Sequence, residues 1–175
     1  MNAPRKAGVM GWPVKHSLSP ALHGHWLKRY GIDGSYEAWP VRPEDLPDAI
    51  CRLRDEGCQG TNLTVPHKET AMALVDAVDE TARRIGAANT LVLRDDGTLA
   101  ATNTDAYGLV ENIRATEPSA ASGNFGGRAA VILGAGGAAR AAVVGLADLG
   151  VREIRIVNRS LERAQVGRAS CRERV

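Results

Sequence analysis

Short apolar runs separated by glycine and proline dominate the chain, and their spacing predicts alternating strands and helices. Ala7–Gly11 reads as a first strand, broken by Trp12-Pro13. Ser19-Pro20 opens a helix, with Ser19 as the N-cap and Pro20 in the first turn. That helix runs to about Tyr30, and Gly31 ends it. Ser35–Val41 is a second strand. Pro43–Glu56 is a helix with Leu46, Ile50 and Leu53 on one face, ended by Gly57. Gly60–Thr64 is a third strand, and Pro66 starts a helix to about Val75. A further helix covers Asp79–Ile85. Thr90–Leu93 and Leu99–Thr102 are strands joined by the turn Asp95-Asp96-Gly97. Ala106–Ala115 is helical.

The composition then changes. Thr116–Gly127 is rich in glycine, serine and alanine and reads as a linker. Beyond it, strand Ala129–Leu133, expected to be buried, leads into Gly134-Ala135-Gly136-Gly137-Ala138-Ala139, which fits G-x-G-x-x-A. Helix Ala138–Leu149 and strand Glu153–Val157 follow. The glycine pattern alone is weak, but strand, loop, helix and strand within about thirty residues are the context it requires. The fold class is α/β: an N-terminal α/β substrate domain (1–115), a linker (116–127) and the start of a Rossmann-type dinucleotide-binding domain (128–166).

The overall profile, 44% hydrophobic and 24% charged, is that of an ordinary globular protein. No run reaches the length of a membrane span, and no secretory signal opens the chain, so a cytoplasmic protein is expected. The net charge of +2 resides entirely in the last nine residues, which gives no support to a nucleic-acid partner. Cys51 and Cys58 read as reduced thiols, one of them buried. His23 and His25 lie on different helix faces, and no metal is expected.

Candidate chemistry gathers at element ends. Asn62 and Thr64 alternate with Leu63 and Val65 and share one strand face. Lys68 falls in the first turn of the helix expected after Pro66, where the helix dipole disfavours a cation and suits proton transfer near neutral pH. Ser17 and Ser19 stand at a helix start suited to an anion. Asn89/Thr90 and Asn103/Asp105 are two more such clusters. A parallel sheet would bring these ends to one edge, as a pocket for a small polyhydroxylated substrate carrying an anionic group. The second strand of the nucleotide unit ends in Asn158-Arg159-Ser160, not in the acidic residue that marks NAD. Arg159 and Arg163 share a helix face and match a 2′-phosphate, so NADP is the expected cofactor.

Six elements, in order and spacing, resemble the shikimate dehydrogenase family: Ser17–Pro20, Asn62–Lys68, Gly86–Thr90, Asn103–Asp105, Gly134–Ala138 and Asn158–Ser160. The resemblance covers roughly Ala7–Gln165. It implies reversible NADPH-dependent reduction of 3-dehydroshikimate to shikimate, on the route to chorismate and aromatic amino acids. It implies that Ser17 and Ser19 bind the substrate carboxylate, and that Thr64, Asn89 and Asp105 bind ring hydroxyls. Lys68 would move the proton, with Asp105 orienting it and Asn62 supporting from behind. The nucleotide would lie on Gly134, Ala135, Gly136, Gly137 and Ala138, with Asn158, Arg159, Ser160 and Arg163 at its ribose end.

The family usually has asparagine after the histidine of the first helix, where this chain has Gly24. Family members also continue well beyond the Asn-Arg-Thr-like motif. The chain as given is therefore expected to be truncated and poorly active or inactive, with 167–175 a non-native tail. Two other readings stay open. One is a quinate/shikimate dehydrogenase; the other is a non-catalytic ligand sensor, against which the presence of both Lys68 and Asp105 speaks. The partners expected are small molecules, with no nucleic acid and no membrane, and the sequence leaves a homodimer open.

Overall fold

A computed structural model describes residues 4–117, 128–162 and 165. By contacts the chain divides into two compact units. One takes the chain up to Ala82 together with Ala88–Thr102; the other takes Arg83–Ala87 and the chain from Asn103.

The first unit is a six-stranded sheet of order β2-β1-β3-β5-β6-β4. Its strands are β1 (Arg5–Gly11), β2 (Gly34–Pro40), β3 (Gly60–Leu63), β4 (Ala77–Val78), β5 (Thr90–Leu93) and β6 (Leu99–Thr102). The sheet is mixed, where the sequence suggested a parallel one. β1 pairs in parallel with β2 and β3, whereas β5 runs antiparallel to both β3 and β6. The short Asp95–Gly97 turn is the reason: so tight a connection can return only an antiparallel strand.

Helix α1 (Ser19–Arg29) contacts β1 and β2, yet none of its residues is buried. Helix α2 (Leu46–Asp55) is preceded by one 3-10 turn, Pro43–Asp45, so the single helix expected from Pro43 is split. Leu46, Ala49, Ile50 and Leu53 recur at helical spacing and are all buried. They pack with Met10, Leu63, Leu91 and Leu99 in the main core. Gly57 closes α2 at φ +63, and the Cys58 N–H bonds back to the Leu53 carbonyl at 3.0 Å. Of the cysteines, Cys58 is buried and Cys51 is exposed. Helix α3 (Glu80–Ile85) is capped by Asp79, whose Oδ1 accepts from the Ala82 N–H at 2.6 Å.

The second unit holds α4 (Asp105–Thr116), β7 (Ala129–Leu133), α5 (Gly137–Asp148) and β8 (Glu153–Val157). β7 and β8 pair in parallel. Helix α4, which the sequence assigns to the first domain, clusters by contacts with this unit. The cause is its packing on α5, where Ala106, Ala141 and Val144 join Ile85 and Ala87 in a small core. Gly145 permits that approach: a Cβ there would lie 3.0 Å from Val110 Cγ2. β7 is not the buried strand expected. Val131 and Leu133 are 61% and 80% exposed, because among the described residues β8 is the strand's only sheet neighbour. Most of the 116–127 linker, Arg163 and the 167–175 tail lie outside the described residues. No described helix is long and apolar enough to cross a membrane.

Candidate functional site

In the first unit the Asn62/Thr64 and Asn89/Thr90 clusters meet at one sheet edge, by a route different from the expected parallel one. β1 and β3 end there in register, Met10 opposite Leu63. β5 begins there, with Thr90 opposite Asn62, and β6 ends there, with Thr102 opposite Thr90. An antiparallel strand thus brings its start, Asn89-Thr90, to the edge where its parallel neighbours bring their ends. The Leu63 N–H donates to the Asn89 carbonyl at 2.7 Å, and the Asn89 N–H donates to the Thr102 carbonyl at 3.1 Å.

Thr64 follows β3 directly, and its N–H bonds to the Met10 carbonyl at 2.9 Å. Gly11 makes room for it, since a Cβ on Gly11 would lie 2.3 Å from Thr64 Cγ2. No α-helix follows Pro66. Val65–Lys68 form a turn with a cis Val65-Pro66 peptide, and a five-residue 3-10 helix, Thr70–Leu74, comes after it. The backbone acceptors a helix would need are engaged elsewhere: the Val65 carbonyl takes the Trp12 N–H at 3.0 Å, and the Lys68 carbonyl takes the Ala88 N–H at 2.7 Å. The helix-dipole reason for choosing Lys68 therefore lapses. What holds the residue is a turn tied to two neighbouring segments.

His67 adds a third tie. Its ring is buried, and Nε2 lies 2.8 Å from the Val41 carbonyl. A carbonyl can only accept, so Nε2 carries the proton. Sequence reasoning passed over this residue; its burial beside a half-buried lysine is a tertiary fact.

At α1 the serine roles are exchanged. Ser19 is not the cap: the helix begins at Ser19 itself, and Leu18 occupies the N-cap position with no side-chain bond. Ser17 Oγ instead accepts the Ser19 N–H at 3.3 Å. Tyr36, close by in β2, is a residue the sequence reading missed. Tyr36 reaches from β2 across β1 to Asn62, its hydroxyl 2.6 Å from Asn62 Oδ1. The β1 residue beside it is Ala7, small enough to leave the phenol room. Burial pushes the Tyr36 phenol up to about 12, against a smaller opposing pull from the Ser19 hydrogen bond. It is therefore a protonated donor at any physiological pH. His23 stacks on the same ring at 4.0 Å, and burial moves its imidazole below the ordinary range.

The remaining candidates belong to the second unit. Asn103 is buried; its Nδ2 donates to the Ala87 carbonyl at 2.7 Å, and its Oδ1 accepts the Asp105 N–H at 2.9 Å. Asp105 is thus set as the first residue of α4. The glycine loop leaves β7 at Gly134, φ +109, with its N–H on the Val157 carbonyl at 2.8 Å. A Cβ at Gly134 or at Gly136 would meet nothing within 4 Å, so the space in front of this backbone is open to a phosphate. α5 starts at Gly137 and aims its first N–H groups from the same loop. Asn158 Nδ2 bonds to the Ser160 carbonyl at 2.8 Å, which shapes the turn after β8, and Arg159 is exposed there. The residues present fit a dinucleotide.

Residues 9–91 match the family model of the shikimate dehydrogenase substrate binding domain. The chain is 58% identical, over 164 residues, to shikimate dehydrogenase (NADP(+)) of Paramagnetospirillum magneticum, covering 91% of this chain and 57% of that one. Among solved structures it is similar to shikimate dehydrogenase from Aquifex aeolicus, with a TM-score of 0.86 and 33% identity over 97% of this chain and 62% of that one. It is also similar to the Thermus thermophilus enzyme in complex with NADP(H) and shikimate: TM-score 0.81 and 40% identity, covering 95% of this chain and 60% of that one. The chain thus spans about 57% of the length of the curated relatives it matches. Over the part of those proteins that it spans, the chain is similar to the shikimate dehydrogenases in both sequence and fold.

Proposed function

We propose that the protein binds shikimate and 3-dehydroshikimate at the sheet edge of its first unit and serves their NADP-dependent interconversion. What supports this is that β1 and β3 end and β5 begins at one edge, where backbone bonds tie Thr64 to Met10, Leu63 to Asn89 and Ala88 to Lys68. Ser17 and Ser19 bind the carboxylate beside the first N–H groups of α1. Thr64, Asn89 and Asp105 bind ring hydroxyls. Lys68 Nζ gives a proton to the carbonyl oxygen as it becomes a hydroxyl, and takes it back in the reverse direction. Asp105 orients that ammonium. Bound NADPH supplies the hydride that reaches the carbonyl carbon. Gly134–Ala138 hold the pyrophosphate, and Asn158, Arg159, Ser160 and Arg163 hold the phosphorylated ribose. In domain terms, 1–115 serves the substrate and 128–166 the nucleotide.

Calorimetric titration with shikimate tests the pocket directly. Saturable binding that Ser17→Ala weakens is the expected result; heat indistinguishable from that of buffer would refute the pocket. Cofactor choice is a separate expectation. The full-length gene product should prefer NADP over NAD by about one to two powers of ten in kcat/KM, the worth of roughly 1.5–3 kcal/mol for a charge-assisted pair at Arg159. Arg159→Ala should erase most of that preference, and equal constants for the two cofactors in the parent would contradict the assignment.

A further inference from the structure

Tyr36 has no part in the roles assigned above, yet it touches Asn62, the residue expected to support the site from behind. Its hydroxyl donates to Asn62 Oδ1. Asn62 carries the connection onward. Its Nδ2 lies 2.9 Å from Thr90 Oγ1 and 3.4 Å from the Asn89 backbone carbonyl. That carbonyl can only accept, which sets the Asn62 amide with its nitrogen toward β5 and its oxygen toward Tyr36. Thr90 accepts from Asn62 and must therefore give its own proton to Asn89 Oδ1, 2.9 Å away. The bonds form a one-way chain from Tyr36 through Asn62 and Thr90 to Asn89, spanning β2 to β5.

We infer that Tyr36 and Thr90 are positioning residues of the ligand site: through Asn62 they fix which end of the Asn89 amide is turned to the ligand. The inference rests on the reading of this edge as a shikimate pocket. With its oxygen held by Thr90, the Asn89 amide is kept in one orientation at this edge. Cutting the chain of bonds at Tyr36 leaves Asn62 Oδ1 without that donor, so the Asn62 amide, and with it Thr90 and Asn89, is held in its orientation from the β5 side alone.

The test uses Tyr36→Phe, Thr90→Val and Thr90→Ser. Two readings are taken: the side-chain amide NMR signals of Asn89 without ligand, and shikimate affinity. Tyr36→Phe and Thr90→Val should each move the Asn89 amide signals and weaken shikimate roughly tenfold. The double variant should bind no worse than the weaker single one, because the same chain is cut twice. Thr90→Ser, which keeps the hydroxyl, should restore both readings. Unmoved Asn89 signals in Tyr36→Phe would overturn the inference even where shikimate still binds, and so would losses that multiply in the double variant. A parent that binds no shikimate would overturn the pocket reading instead, and the amide signals would still decide whether the chain of bonds exists.

Discussion

Lys68→Ala is expected to lower shikimate turnover about 10²–10⁴-fold, the usual contribution of a proton-transfer group. The full-length gene product is the form to assay. Little of the loss should come from misfolding. The turn that carries Lys68 is held by the Trp12 N–H on the Val65 carbonyl, the Ala88 N–H on the Lys68 carbonyl and His67 on the Val41 carbonyl. None of these uses the lysine side chain, so the alanine variant keeps the turn. The effect should therefore fall mainly on kcat, with a smaller rise in KM for whatever contact the ammonium makes with substrate. Near-normal kcat in Lys68→Ala would remove the lysine from the chemistry and with it the central role assigned to this edge.

The largest expected effect on stability lies one strand away. Gly60 begins β3 at φ +150, a backbone conformation that side-chain-bearing residues rarely adopt. A Cβ there would sit 2.2 Å from the Leu91 carbonyl oxygen and 3.1 Å from Val92 Cα. Both obstacles are backbone of β5, itself paired with β6, so neither can turn aside as a side chain would. Overpacking costs about 1–3 kcal/mol and backbone strain about as much again, so Gly60→Ala should lose roughly 3–5 kcal/mol. That is a large share of the stability of about 5–15 kcal/mol usual for a native protein. Gly57→Ala is the control. It also has a positive φ, +63, but a Cβ there meets nothing within 4 Å. It should lose only the strain, about 1–2 kcal/mol. Urea denaturation of the two variants separates the terms, and equal losses would mean that β3 and β5 are not in the register described.

What the sequence reveals, and what it hides, follows from the range of the interactions. Thr90–Leu93, Leu99–Thr102, Ala129–Leu133 and Glu153–Val157 are strands over the very residues expected. Each is bounded by turn or glycine signals close by in the chain. The helix expected at Pro66 failed because its acceptors are claimed by Trp12 and Ala88, which lie far off in the chain. Ser17 and Ser19 are both capping residue types, and only the folded backbone, with the Ser19 N–H on Ser17 Oγ, decides between them. Tyr36 itself sits in an alternating strand, where an aromatic residue reads as core. The one signal that could have exposed it is the polar residue Asn62, half-buried on β3 and in need of a partner. The mixed topology, by contrast, was within reach: the Asp95–Gly97 turn already implied an antiparallel pair inside a sheet otherwise read as parallel.

The direction of that pair has a practical consequence. Thr90 and Thr102 face each other at the ligand edge, whereas Leu93 and Leu99 face each other at the opposite margin. The hairpin tip beyond them is closed locally by the Gly97 N–H on the Arg94 carbonyl and by the Thr98 N–H on Asp96. About 10 Å of strand separates it from Asn89. A peptide epitope or a tether spliced into Asp95–Gly97 would project from the far rim of the sheet. The protein could be immobilised by that handle with its pocket facing the solution.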